Sequence, residues 1–183
     1  MFSIVAVAKN GASISLGLEA PLFLPVPVAS CKLNSGRNGE KDRSMFAQAG
    51  AVVTTIAIQQ ASWILKRLRE RLADRLHFTT DWKSGWRTRP QKLLLWEAFV
   101  SSTAHSDTHE RDATTAVQSF LENEHDFAKA NAVTCESPLS LISVAALWSG
   151  WLQDASRLHG DCLVLRPSKP YSGPIKKIAY LAR

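Results

Sequence analysis

The run Leu93-Leu94-Leu95-Trp96-Glu97-Ala98-Phe99-Val100 constrains this chain more than any other. Its nearly continuous apolar character reads as a central strand covered on both faces, the kind found inside parallel sheets. Glu97 sits near its middle. A lone carboxylate in apolar surroundings is costly unless it is paired, protonated or bound to a metal. Glu19 repeats the pattern in Ile14-Ser15-Leu16-Gly17-Leu18-Glu19-Ala20-Pro21-Leu22-Phe23. Two such acids on two expected strands make a functional site the leading expectation.

The rest of the chain alternates around these strands. Phe2 to Ala8 and Ala12 to Leu18 both look extended, and Asn10-Gly11 between them is a hairpin signal. The alternative leaves only the second as a sheet strand, with the first a loop or helix end. Pro21, Pro25 and Pro27 stop the sheet. Cys31 to Arg43 is a polar, charged loop, and Ser44 can cap a helix over 45–76, where Val53, Ile56, Ile64, Leu65, Leu68, Leu72 and Leu76 recur at helical spacing. Gln91 to Val100 is the second clear strand. Asp107 and Glu110 are spaced as a capping box before the apolar stripe Ala113, Ala116, Val117, Phe120 and Leu121. Ser137-Pro138 opens a buried helix, Leu139 to Leu152. Asp161 to Arg166 reads as a last strand. Strands alternating with helices predict an α/β fold with a largely parallel sheet.

Composition sets the class. The 183 residues fit one domain, 1–183, with 167–183 a peripheral tail. Hydrophobic content of 45% supplies a real core. The net charge of +6 is compatible with a polyanionic partner such as nucleic acid. Cys31, Cys135 and Cys162 are odd in number and form no CxxC pair, which argues against a disulfide scaffold or structural zinc and for a reducing, cytoplasmic compartment. Val28-Ala29-Ser30-Cys31 resembles a lipoprotein cleavage box. Glu19 and the three prolines interrupt the apolar core such a signal needs, so no signal peptide is expected. No apolar run reaches the length of a membrane span, and no membrane partner is expected.

The helix carrying Asp112 follows the Glu97 strand after a short connection. Asp112 borders the apolar stripe of that helix, so it faces partly toward the sheet edge where open α/β folds place their sites. Glu19, Glu97 and Asp112 are therefore expected to converge. Clustered carboxylates favour protons or hard divalent cations, Mg²⁺ above all for phosphate chemistry. Two such ions can activate water and stabilise a leaving oxygen in phosphodiester cleavage. The competing readings are structural: Asp112 as a first-turn acid favoured by the helix dipole, Glu97 paired with an arginine such as Arg111, and Glu19 as a strand-end marker.

Four segments carry a resemblance: Leu16-Gly17-Leu18-Glu19-Ala20-Pro21-Leu22-Phe23-Leu24-Pro25, Gly36-Arg37-Asn38-Gly39-Glu40-Lys41-Asp42-Arg43, Trp96-Glu97-Ala98-Phe99 and His109-Glu110-Arg111-Asp112-Ala113. Together they resemble a bacterial branch of uncharacterised predicted nucleases with a ribonuclease H-like fold, over roughly Ser13 to Arg166. The resemblance implies a mixed sheet flanked by helices, with Glu19, Glu97 and Asp112 as the catalytic acids holding Mg²⁺ or Mn²⁺. It also strengthens Arg37 and Arg43, which flank a glycine-bearing loop, as phosphate contacts. The fold normally begins with a strand carrying an Asp. No acid precedes Glu19 here, so the start of the domain reads as shortened, leaving sheet edges that a second copy of the chain can cover.

Weaker signals complete the reading. His105, His109 and Asp112 are spaced i, i+4, i+7, but the expected cap at Asp107 puts His105 outside the helix. Exposed, unliganded histidines are the plainer reading, with His109 able to support a metal ligand from behind or to transfer a proton. The basic stretch Lys66 to Arg75, with Trp82 and Trp86 nearby, can track a nucleic-acid backbone, or it is the wet face of an amphipathic helix. No GxxxxGK[ST], GxGxxG or Gly-x-Ser-x-Gly motif appears. The expected function is metal-dependent phosphodiester cleavage in nucleic acid. The alternative is a non-catalytic α/β binding protein on the same scaffold.

Overall fold

The computed structural model describes residues 2–33, 35–40, 48–83, 86 and 91–174. In chain order these form α1 (Phe2–Lys9), β1 (Ile14–Leu18), β2 (Phe23–Pro25), α2 (Gln48–Leu72), β3 (His77–Thr79), β4 (Lys92–Ala98), α3 (His109–Asn123), α4 (Phe127–Ala130), β5 (Pro138–Ser140), α5 (Leu141–Trp148) and β6 (Val164–Leu165). The architecture is mixed α/β with a mostly parallel sheet flanked by helices.

β4 is the middle of that sheet, and all its neighbours run parallel to it. β1 occupies one side, from Ile14 opposite Leu93 to Leu18 opposite Glu97. The other side is shared: β3 pairs near the start of β4 and β6 near its end. β2 and β5 form a separate antiparallel pair. The central position of β4 follows from its sequence, since only a strand covered on both faces can bury consecutive leucines.

The two-residue alternation of a strand then sorts the core into two layers. Leu93 and Leu95 pack into a cluster with Ala61, Leu65, Leu68 and Leu72 of α2 and with Ala145 and Ala146 of α5. Leu94, Trp96 and Ala98 point the other way, into a cluster with Ala116 and Phe120 of α3. Phe120 stacks on Trp96 with ring centroids 5.1 Å apart. The apolar positions of α2 fall one helical turn apart, so a single stripe faces the sheet. Among the described residues, no helix is long and apolar enough to cross a membrane.

Three local expectations are corrected. Phe2–Lys9 is a helix, not a hairpin strand. Its apolar run suits either state, and Gly11, at φ +84°, terminates the helix, its N–H donating to the Ala8 carbonyl at 3.0 Å. Pro138 does not open a helix. It pairs with Pro25 across the β2–β5 ladder, and the helix starts after Ser140, whose side chain accepts from the Ser143 N–H. The last strand is only Val164–Leu165. The expected Ser44 cap and helix start near Met45 lie outside the described residues, and α2, described from Gln48, ends at Leu72 rather than at Leu76.

Candidate metal centre

Strand parity decides which acids meet. Leu18 of β1 stands opposite Glu97 of β4, and Gly17 opposite Trp96. Glu97 therefore shares the α2 face of the sheet with Leu93 and Leu95. Glu19, next but one after Gly17, continues the opposite face, where Trp96 and α3 lie. Its side chain emerges at the carboxyl end of the sheet, the edge where open α/β folds present ligand sites.

Asp112 reaches the same point from the first turns of α3. Thr108 caps this helix, not Asp107, its hydroxyl accepting from the Arg111 N–H at 3.3 Å. His109 follows the cap and lies one turn before Asp112. Glu19, His109 and Asp112 each offer one ligand atom, and those atoms lie within 4.8 Å of one another. Asp112 is buried, whereas Glu19 and His109 are exposed. Two carboxylates and an imidazole at this spacing can hold a metal ion. His109 is exposed, as the plainer reading expects, and its ring stands among the candidate ligand atoms rather than behind them.

The Asp112 carboxylate is fixed before any ligand arrives. Oδ1 accepts from both the N–H and the hydroxyl of Ser106, each at 2.8 Å. Oδ2 lies 2.6 Å from His105 Nδ1, and the His105 side chain is itself half exposed. Burial raises the pKa of this carboxyl, but the Ser106 hydrogen bonds and His105 outweigh it and hold the group below the ordinary aspartate range. Asp112 is thus kept ionised, as a ligand must be.

A cavity of about 330 Å³ opens beside the three ligand atoms. Ser13, Ser15 and Gly17, alternate residues of one face, form its side along β1. Trp96 and Ala98 continue it along β4, and Ala116 and Phe120 close it from α3. Gly17 is required for this shape, since a Cβ there would stand 2.6 Å from the Trp96 ring. The indole lies across β1 and donates from Nε1 to Ser15 Oγ at 2.8 Å.

Glu97 is excluded from the centre. Its two oxygens accept from Arg37 Nη1 and Nη2, both at 2.7 Å, and Oε2 also accepts from the Leu22 N–H at 3.0 Å. Arg37 further engages Glu40, with Nε 2.9 Å from Oε1, and its guanidinium stacks over the Phe23 ring at 4.5 Å. All three charged residues are at most 4% exposed. Burial pushes the Glu97 carboxyl up against the pull of Arg37. For Arg37, burial disfavours the charge, but Glu97 and Glu40 more than compensate. A guanidinium does not deprotonate at ordinary pH, so Glu97 stays ionised as its partner.

The expectation that Arg37 contacts phosphate is corrected for the same reason: its donors are spent inside the protein. The loop around it is a fastening. Asn38 bridges Thr134, and Gly39, at φ +94°, passes so close to Ala132 that a Cβ would collide with its carbonyl oxygen. Arg43 lies outside the described residues. Trp82 and Trp86 are 4% and 6% exposed, so neither offers a face for base stacking.

The sequence reading expected Glu19 and Asp112 to converge, and it weighed an arginine partner for Glu97 but named Arg111 where the structure has Arg37. The signal lay in the register: once β1 and β4 are aligned, Glu19 and Glu97 fall on opposite faces. No protein-family model, curated protein or solved structure matches this chain.

Proposed function

We propose that the protein is a metal-dependent hydrolase of phosphodiester bonds in nucleic acid, working through a single divalent cation at Glu19, His109 and Asp112. The observation that carries this reading is the convergence of three ligand atoms within 4.8 Å at the carboxyl end of a parallel sheet, beside an open cavity. Mn²⁺ or Mg²⁺ suits the two carboxylates, and the imidazole shifts the preference toward Mn²⁺. A divalent cation held there supplies Lewis acidity, easing deprotonation of water and offsetting charge on a phosphoryl oxygen. The chain's own residues do the positioning. Ser106 and His105 orient Asp112, and the apolar walls of the cavity limit bulk water. The net charge of +6 favours approach of a polyanion. A ribonuclease H-like arrangement, the cytoplasm as the working compartment and a second copy over the open side of β1 belong to the same proposal.

Calorimetric titration with Mn²⁺ and Mg²⁺, paired with a cleavage assay on a labelled single-stranded oligonucleotide, tests it. Metal binding and chelator-sensitive cleavage, both lost in Asp112→Asn, are the expected result. A second reading, a non-catalytic α/β binding protein, is favoured by the locking of Glu97 to Arg37, which leaves two carboxylates at the centre instead of three. Absence of cleavage with metal bound selects it.

A further inference from the structure

The cavity beside the metal ligands has a chemical bias of its own. Its deeper walls are Trp96, Phe120, Ala98 and Ala116, all buried and apolar. At about 330 Å³ it is at the small end of ligand pockets, with room for one ring system and none for a base pair. Polar groups enter it along one line. Ser13 and Ser15 stand on the same face of the chain, about 7 Å apart at strand spacing. Each hydroxyl oxygen already accepts a hydrogen bond, Ser13 from the Lys92 N–H at 3.1 Å and Ser15 from Trp96 Nε1 at 2.8 Å. Each keeps its own O–H to donate and one further lone pair. The cavity therefore offers two hydroxyl donors, aromatic and methyl walls, and at one end the ligand atoms of Glu19, His109 and Asp112.

We infer that the cavity holds a single unpaired nucleobase, or an equivalent planar ring bearing hydrogen-bond acceptors, whose attached phosphate reaches the metal centre. This rests on the proposed metal site and deepens it: the substrate is a single-stranded or terminal nucleotide unit, not a stacked duplex. The apolar walls favour a ring over a sugar, its ring nitrogen or carbonyl takes a proton from Ser13 or Ser15, and the anionic group is left at the end that holds the metal. A duplex would keep its bases turned inward and present nothing to the cavity.

Calorimetry on the Mn²⁺-loaded full chain tests this with adenosine 5′-monophosphate against ribose 5-phosphate. The ring-bearing ligand is expected to bind at least about tenfold more tightly, a difference of 1.4 kcal/mol. Val117→Phe, on an exposed residue lining the cavity mouth, blocks the cavity, removes that difference and keeps the Mn²⁺ heat. If circular dichroism shows that this variant is unfolded, Leu121→Trp, on the same cavity and farther along α3 from Asp112, takes its place. Equal affinity for the two phosphates overturns the inference. If Mn²⁺ itself gives no heat, the metal reading fails, and adenosine alone decides the cavity: binding by the parent and not by the blocked variant sustains the ring site, and no binding by the parent overturns it.

Discussion

Arg37 and Glu97 meet end to end, each guanidinium Nη 2.7 Å from a different carboxylate oxygen, although 60 residues of chain separate them. The pair ties the 35–40 loop to the central strand, and Glu40 shares the same guanidinium at 2.8 Å. Two buried acids thus depend on one buried base.

Arg37→Met is therefore expected to destabilise the fold by about 3–5 kcal/mol, the scale for removing one partner of a buried pair. Both Glu97 and Glu40 would be left without their cation. Urea denaturation measures the loss. Glu97→Gln should cost less, since Glu40 still neutralises Arg37. Neither substitution should change Mn²⁺ affinity in protein that remains folded, because the pair faces away from the metal centre.

Acid should weaken the metal-free protein through Asp112. Its folded pKa is depressed below the ordinary value of 3.8 by Ser106 and His105. A depressed acid contributes stability that is present above the unfolded value and lost as pH falls through the folded one. Urea midpoints should therefore fall below about pH 4 more steeply in the parent than in Asp112→Asn, whose side chain does not titrate. Parallel curves for the two proteins would remove Asp112 from the account.

The thiols should react in a fixed order. Cys31 is exposed, Cys135 intermediate and Cys162 buried. Burial pushes the Cys162 thiol well above its ordinary range, so little thiolate forms at neutral pH. With a disulfide reagent at pH 8, Cys31 should label first and Cys162 only with unfolding. Mass spectrometry of digested, pulse-labelled protein gives the order.

Gly17 and Gly39 should resist substitution for different reasons. Alanine at 17 meets the Trp96 ring at 2.6 Å, and the indole can yield by giving up its bond to Ser15. A cost of about 1–3 kcal/mol and a reshaped cavity are expected. Alanine at 39 meets backbone at Ala132 with φ at +94°, so nothing nearby can yield. Gly39→Ala should be the more damaging of the two in thermal melts.

What the sequence revealed and what it hid have separate physical causes. The central strand was legible because burial on both faces leaves an unbroken apolar run. Glu19 stood out because charge within an apolar run demands a reason, and Asp112 because it borders the apolar stripe of its helix. Glu97 met the same criterion, yet its answer was a loop arginine far away in sequence, which no local pattern could supply. Phe2–Lys9 was ambiguous because a short apolar segment satisfies strand and helix alike until packing decides. His109 looked ordinary because its value comes from Glu19, which only the folded chain brings near.

With the ionic knot beneath the sheet and the candidate metal ligands above it, the two clusters share no side chain. Changes to the two clusters should simply add. Such a molecule can exchange residues in the upper cluster while the lower one keeps the architecture in place.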